Sequence, residues 1–454
     1  MNHPILRAAL VGAAAIAITA CVDGGGTDPS VVPEVSTLRV VHASADAPNV
    51  NVVIDGANFV EDLAFKSSTV LSTVSSGTAT VQVDGIVPGG TATVIGPVDL
   101  TLEDQTEYNV IAVGGVSAIE PVVVASPAAS ALVGTVRAQV VHGAPDAPQV
   151  DVYVTAPGSD LAQSVALGSF SFKESLGPVE VPSGDYQIRV TLPGTPGAPG
   201  AVVFDSGTVT LPSGNFLIVA VPNTTLGTSP ISLFATANGV GDLDILDIDT
   251  PTQFRVIHNS PDAPAVDVVI NDDFVNPPLL ESVPFPVFSG FNEVPPDTYN
   301  VKVTAENNPG AIVIDEDLAL AAGQTYSVYA IDVLANIGAY VLIDDLRSVA
   351  TEAKVRIVHL APGAGLVDIY VTEVGADITM MDLAFAGVDF EAETGYVSLA
   401  EGSYDVTVTV AGTKTAAIGP ATVSLMNGEV YTAVARDAAG GGAPFGLILL
   451  DNFN

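Results

Sequence analysis

A fifteen-residue pattern occurs four times in this chain: VVHASADAPNVNVVI from Val40, VVHGAPDAPQVDVYV from Val140, VIHNSPDAPAVDVVI from Val256 and IVHLAPGAGLVDIYV from Ile357. Four of the five histidines, His42, His142, His258 and His359, mark the copies, at intervals of 100, 116 and 101 residues. Those intervals are domain-sized and too long for one turn of a solenoid. The chain therefore reads as a row of four similar units, and any role given to one copy of the motif must be weighed against the other three.

Two further landmarks follow each histidine in the same order. An alternating strand appears as GTATVQV from Gly77, GDYQIRV from Gly184, DTYNVKV from Asp297 and GSYDVTV from Gly402. Next comes a leucine, a turn and an aromatic residue opening a long strand, with Tyr108, Tyr326 and Tyr431 in three copies and Phe216 in the second. That arrangement resembles the tyrosine corner of immunoglobulin-like sandwiches, in which the phenol bonds back to the backbone. Val, Ala, Ile and Leu dominate, 43 Gly and 32 Pro supply turns, and no segment has helical periodicity. The expected fold is all-β: a tandem array of four immunoglobulin-like antiparallel β-sandwich domains, at residues 37–126, 134–240, 252–347 and 353–454. The segments between them, including GVGDLDILDIDTP from Gly239, are short enough for a semi-rigid row.

Residues 1–20, MNHPILRAALVGAAAIAITA, carry Arg7, an apolar run from Ala8 to Ile18 and then small residues. This is the order of a secretion signal, too short for a membrane span. Ile18-Thr19-Ala20-Cys21 resembles a lipobox, and Cys21 is the only cysteine, so the expectation is lipidation there and a bilayer partner reached through an acyl anchor. Residues 21–36 read as a tether. The expected location is extracytoplasmic, anchored to the cell envelope, and the outer membrane in a Gram-negative cell because Val22 follows the cysteine.

The string H-x-[SA]-P-D-A-P-x-V-D-V followed by G-x-Y-x-V-x-V resembles the bacterial domain of unknown function 4397. The resemblance is fullest in HGAPDAPQVDV and HNSPDAPAVDV, and the fourth copy has Gly363 and Gly365 where Asp and Pro stand elsewhere. It implies an extracytoplasmic β-sandwich module and lends no activity.

A catalytic reading needs a nucleophile, a base and an orienting carboxylate in every working copy. Ser44 and Ser260 lie two residues after their histidines, but Ala144 and Ala361 take that place elsewhere, and Asp46, Asp146 and Asp262 become Gly363 in the fourth copy. No catalytic residue is assigned. The motif reads as a rigid turn between strands, with His42, Asp46, His142, Asp146, Asp151, His258, Asp262, Asp267, His359 and Asp368 as structural residues. Its prolines fix the backbone, and its first aspartate is expected to bond an amide two residues on. Alternation places Val40 and His42 on one side of their strand and Arg39 and Val41 on the other.

A formal charge of −38 excludes nucleic acid as a partner and disfavours anionic lipid surfaces. Asp242, Asp244, Asp247 and Asp249 form the densest acidic run and a candidate calcium site; no other cofactor is expected. The function these features support is a non-enzymatic, lipid-anchored scaffold, spacer or adhesion array in the envelope, contacting an envelope protein or polysaccharide. Binding of a polysaccharide or of calcium is the alternative, and for sugars the absence of Trp counts against it.

Overall fold

The computed structural model describes residues 34–194 and 202–453. The expected signal segment, Cys21 and most of the expected tether lie outside the described residues. The described residues are all-β, arranged as pairs of packed sheets. In the first repeat the strands are β1 (Val35–His42), β2 (Val50–Ile54), β3 (Ala57–Leu63), β4 (Ser67–Ser68), β5 (Ser72–Ser75), β6 (Gly77–Val87), β7 (Gly90–Leu102), β8 (Thr106–Val113) and β9 (Glu120–Pro127). One sheet has the order β4-β1-β8-β9, with β5 also pairing β1; the other is β3-β2-β6-β7. The His motif is thus the crossing from the first sheet to the second. The other three repeats reproduce this plan.

Most neighbouring strands are antiparallel, as expected, but one pair in each repeat is parallel. β1 runs parallel to β8, with Val40 opposite Val110, and the strands ending at His142, His258 and His359 do the same with their partners. A parallel pair needs a long crossover, and here the excursion through the whole second sheet supplies it.

Alternation divides each first-sheet strand between two cores. Leu38, Val40, Val110 and Ala112 face β2 and β6 inside the repeat. The opposite face is not solvent: Val41, Ile111, Val113, Val122 and Val124 pack against Val141, Leu217, Val219, Val221 and Phe234 of the second repeat. Repeats three and four join in the same way through Ile257, Tyr329, Val358, Leu360, Val434 and Leu450. Fully burying one such aliphatic side chain stabilises by roughly 1.5–3 kcal/mol, so five on each side make a strong joint. The four repeats are therefore two face-to-face pairs rather than a row of separate beads.

The segment from Gly239 is more than a separator, because Gly241–Ile245 adds a fifth strand to the second repeat's first sheet, pairing Ile231–Ala237. That strand carries Asp242 and Asp244 to the first repeat, where Ser68 donates to Asp242 and Lys66 pairs with Asp244 at 2.8 Å.

Truncating Phe234 to Ala in the joint is expected to cost about 3–5 kcal/mol. Hydrogen exchange should show protection falling in both of the first two repeats together. Loss confined to the second repeat would mean that the joint does not couple them.

Candidate functional site

The histidine of each motif is the last residue of a first-sheet strand, which places it at the crossing. His42 is fully buried. Its Nε2 lies 2.9 Å from the Pro48 carbonyl, and the Ser44 amide donates to its Nδ1 at 3.3 Å. Both contacts fit one neutral tautomer, with the proton on Nε2. His359 repeats both, to Gly365 O at 2.8 Å and from the Ala361 amide at 3.4 Å, and His142 keeps the first, to Pro148 O at 3.2 Å. The ring is a staple that closes a six-residue turn. His258 is also fully buried but makes neither contact; it lies edge-on to Phe285, near the Val283 and Pro284 carbonyls. Burial pushes the pKa of His42 down to about 4 and that of His258 downward as well.

Ser44 meets the imidazole through its amide and not through its hydroxyl. Its Oγ donates to the Gly114 carbonyl at 2.6 Å, so the base and the hydroxyl serve two separate backbone anchors.

The first aspartate works over a long range rather than two residues on. Asp46 Oδ1 accepts from the Val116 amide at 2.8 Å and Asp262 Oδ1 from the Leu334 amide at 2.6 Å. Each amide opens a short 3-10 turn whose own N-cap residue, Gly115 or Val333, offers no side-chain bond. The carboxylate supplies the missing cap from across the fold. Asp146 is exposed. In the fourth repeat the direction reverses: Asp437, from the loop that the 3-10 turn occupies in the first and third repeats, accepts from the Gly363 amide at 3.2 Å. A Cβ at position 363 would sit 2.8 Å from that carboxylate, so the glycine and the relocated aspartate belong together. ARDAAGGGAP, from Ala435, contains the compensating residue, but only the fold connects it to the motif.

The second aspartate holds two loops of the other sheet. Asp267 accepts from the Ser282 amide at 2.8 Å and the Asn307 amide at 2.9 Å; Asp368 accepts from Gly387 and Gly412, both at 2.7 Å. All four donors have positive φ, between 54° and 74°. Ser282 and Gly387 lie on strands whose pairing with the motif strand slips beside the aspartate, between Val266 and Val268 and between Val367 and Ile369. One carboxylate thus fixes a bulge on one side and a hairpin turn on the other, at backbone positions that cost a non-glycine residue roughly 1–2 kcal/mol. Asp151 accepts from the Ser169 hydroxyl and the Gly194 amide, and Asn51 accepts from the Asp62 amide at 3.0 Å.

A second set of tyrosines also locks corners. Tyr108, Tyr326 and Tyr431 accept from the amides of Glu103, Ala321 and Met426 at 2.9, 3.1 and 3.0 Å. Tyr186, Tyr299 and Tyr404, in the alternating strands, donate to the carbonyls of Pro182, Pro295 and Ala400. The sequence marks this second group only as strand residues, yet the spacing of four to the carbonyl is constant.

The four linker aspartates do not form a cation cage. Strand alternation turns Asp242 and Asp244 toward Ser68 and Lys66, while Asp247 accepts from the amides of Asp205 and Asp249. Among the described residues no group of three or more His, Cys, Asp or Glu side chains converges to hold a metal.

The family model described as Domain of unknown function (DUF4397) matches residues 36–153, 252–370 and 373–454. No curated protein matches the chain. Among solved structures, the Bacillus anthracis TIE protein is 11% identical with a TM-score of 0.17; the match covers 86% of this chain and 66% of that one. A SusE-like surface-located polysaccharide-binding protein from the Bacteroides thetaiotaomicron heparin utilisation locus is 10% identical with a TM-score of 0.10, covering 86% of this chain and 98% of that one.

Two measurements check the structural role of these side chains. Between pH 6.5 and 4 the unfolded chain takes up a proton at position 42 that the folded chain refuses. This histidine's contribution to stability therefore falls as pH drops through that window, by about 3 kcal/mol in total. Denaturant titrations of His42→Gln should lack that component of the pH dependence; identical profiles would contradict it. Asp368→Asn, which leaves one acceptor oxygen for two amides, is expected to lose about 1.5–3 kcal/mol, with faster exchange at both Gly387 and Gly412.

Proposed function

We propose, from the premise that this chain belongs to the family described as a domain of unknown function (DUF4397), that it is a non-enzymatic, lipid-anchored component of the cell envelope acting as a scaffold or spacer. The observation that carries this reading is where the motif's polar groups are directed. The bonded histidines and aspartates of the motif address backbone amides, backbone carbonyls or a neighbouring serine within the fold. Such bonds stiffen corners and leave those groups no free partner for a substrate. Two face-to-face pairs make a rigid body suited to holding distance or presenting a surface.

The envelope address rests on the secretion-signal pattern and the lipobox-like Ile18-Thr19-Ala20-Cys21. The net charge of −38 keeps the body soluble beside an anionic membrane. The expected partner is an envelope protein or polysaccharide met across an outer surface.

In cells, the full chain should partition into the detergent phase of an envelope extract, and Cys21→Ser should move it to the aqueous phase. Equal aqueous partitioning of both would remove the anchor. Crosslinking on intact cells should return an envelope partner with wild-type chain and with His258→Ala alike. A turnover activity abolished by His258→Ala in a folded chain would overturn the non-catalytic reading.

A further inference from the structure

The turn of the first repeat is occupied by a side chain from 300 residues away. Arg347, between the third and fourth repeats, donates from Nη1 to the carbonyls of both Ala45 and Ala47 at 3.0 Å. Its guanidinium lies 5.5 Å from the centre of the Phe65 ring, which in turn stands edge-on to His42. Three residues on, the Ala350 amide donates to the Asp46 carbonyl at 2.8 Å. The turn is held ready for this by the His42 staple and by the Asp46 bond to Val116. Val349 beside it is buried, and the segment is fastened to the fourth repeat through Ser348 to Gly428 O at 2.8 Å and Lys354 to Asp345 at 2.8 Å.

A related arrangement stands in the third repeat, although there the Nη1 of Arg436 donates to the Asp437 carbonyl of its own repeat. Arg436 of the fourth repeat stands over Phe285 at 5.6 Å, Phe285 is edge-on to His258, and the Gly440 amide donates to the Pro261 carbonyl at 2.7 Å. In both corners a histidine, a phenylalanine and a turn carbonyl meet an arginine and a backbone amide brought by a segment outside the repeat. In the first pair, Val221 holds the strand position that Arg436 holds in the fourth repeat, so the neighbouring repeat has no guanidinium to give. Arg347 fills that place from the other half of the molecule.

We propose that the His-turn corner is an arginine-receiving site, and that the chain fills the site in its first repeat with its own Arg347, so that residues 345–350 latch the second pair of repeats to the first. The guanidinium suits it because one planar cation can lie on a ring and donate to two carbonyls at once. Burial lowers the pKa of Arg347, and Asp345, Glu352 and Asp46 oppose that shift, so the cation is held in an acidic surround.

The test uses the full chain with Arg347→Ala and Arg347→Lys. Hydrogen exchange at the Ala350 amide reports the latch directly, because its acceptor lies in the first repeat. Hydrogen bonds to charged groups contribute about 1.5–3 kcal/mol, so Arg347→Ala should speed exchange there by about tenfold or more while Val41 and Ile111 keep their protection. Small-angle scattering should show a larger maximum dimension for that variant. Adding a capped peptide of residues 345–350 to it should slow exchange around Ala45 and Ala47. Unchanged exchange at Ala350 and an unchanged maximum dimension in Arg347→Ala would overturn the latch. Full protection in Arg347→Lys would overturn the preference for a guanidinium.

Discussion

Every residue of the strands Thr325–Ile331 and Ala353–His359 is buried, and this two-sided burial is the constraint on which the rest of the molecule is arranged. A sheet covered on one face by its own sandwich needs a second cover, and each repeat finds it in the equivalent sheet of a neighbour. The requirement pairs the first repeat with the second and the third with the fourth. It also explains why polar residues of these strands, such as Ser327, Lys354 and Arg356, are buried along with the apolar ones.

Polar groups inside the two joints fix how the faces meet. In the second pair, Asp344 lies between Arg255 at 3.1 Å and Arg356 of the next repeat, and Arg255 also reaches Asp451 at 2.7 Å, with all four side chains no more than 4% exposed. In the first pair the polar contacts include Asn109 to Gln139 at 2.8 Å and Arg39 to Asn238 at 3.0 Å, beside those of Ser68 and Lys66 with Asp242 and Asp244. A buried ion pair adds little over an apolar contact of the same shape, but removing one partner strands a charge and costs about 3–5 kcal/mol. These groups select one register between otherwise apolar faces.

The histidine spacing and turn chemistry were enough to read four sandwich units and a turn between strands at each motif, because both depend on local backbone preference and period; that the turn carries the chain from one sheet to the other came only from the fold. The uneven retention of the motif was legible too, since the fourth copy drops the turn aspartate while keeping His359 and Asp368. What covers a strand's outer face was not legible: Arg39 and Val41 alternate correctly with Val40 and His42, but alternation says nothing about a neighbouring sheet. The same limit applies to the aspartates. Asp46 bonds an amide 70 residues away, Asp437 replaces a carboxylate lost from position 363, and Asp242 and Asp244 are taken by Ser68 and Lys66, and none of these pairings leaves a mark at short range.

The pairing of repeats is tested most directly by comparing a two-repeat fragment, residues 34–245, with the first repeat alone, residues 34–127. The two-repeat fragment should be monomeric and unfold in one cooperative transition, while the single repeat, with Val41, Ile111 and Val122 uncovered, should self-associate or fail to fold. A single repeat that is monomeric and as stable as the two-repeat fragment would contradict the account.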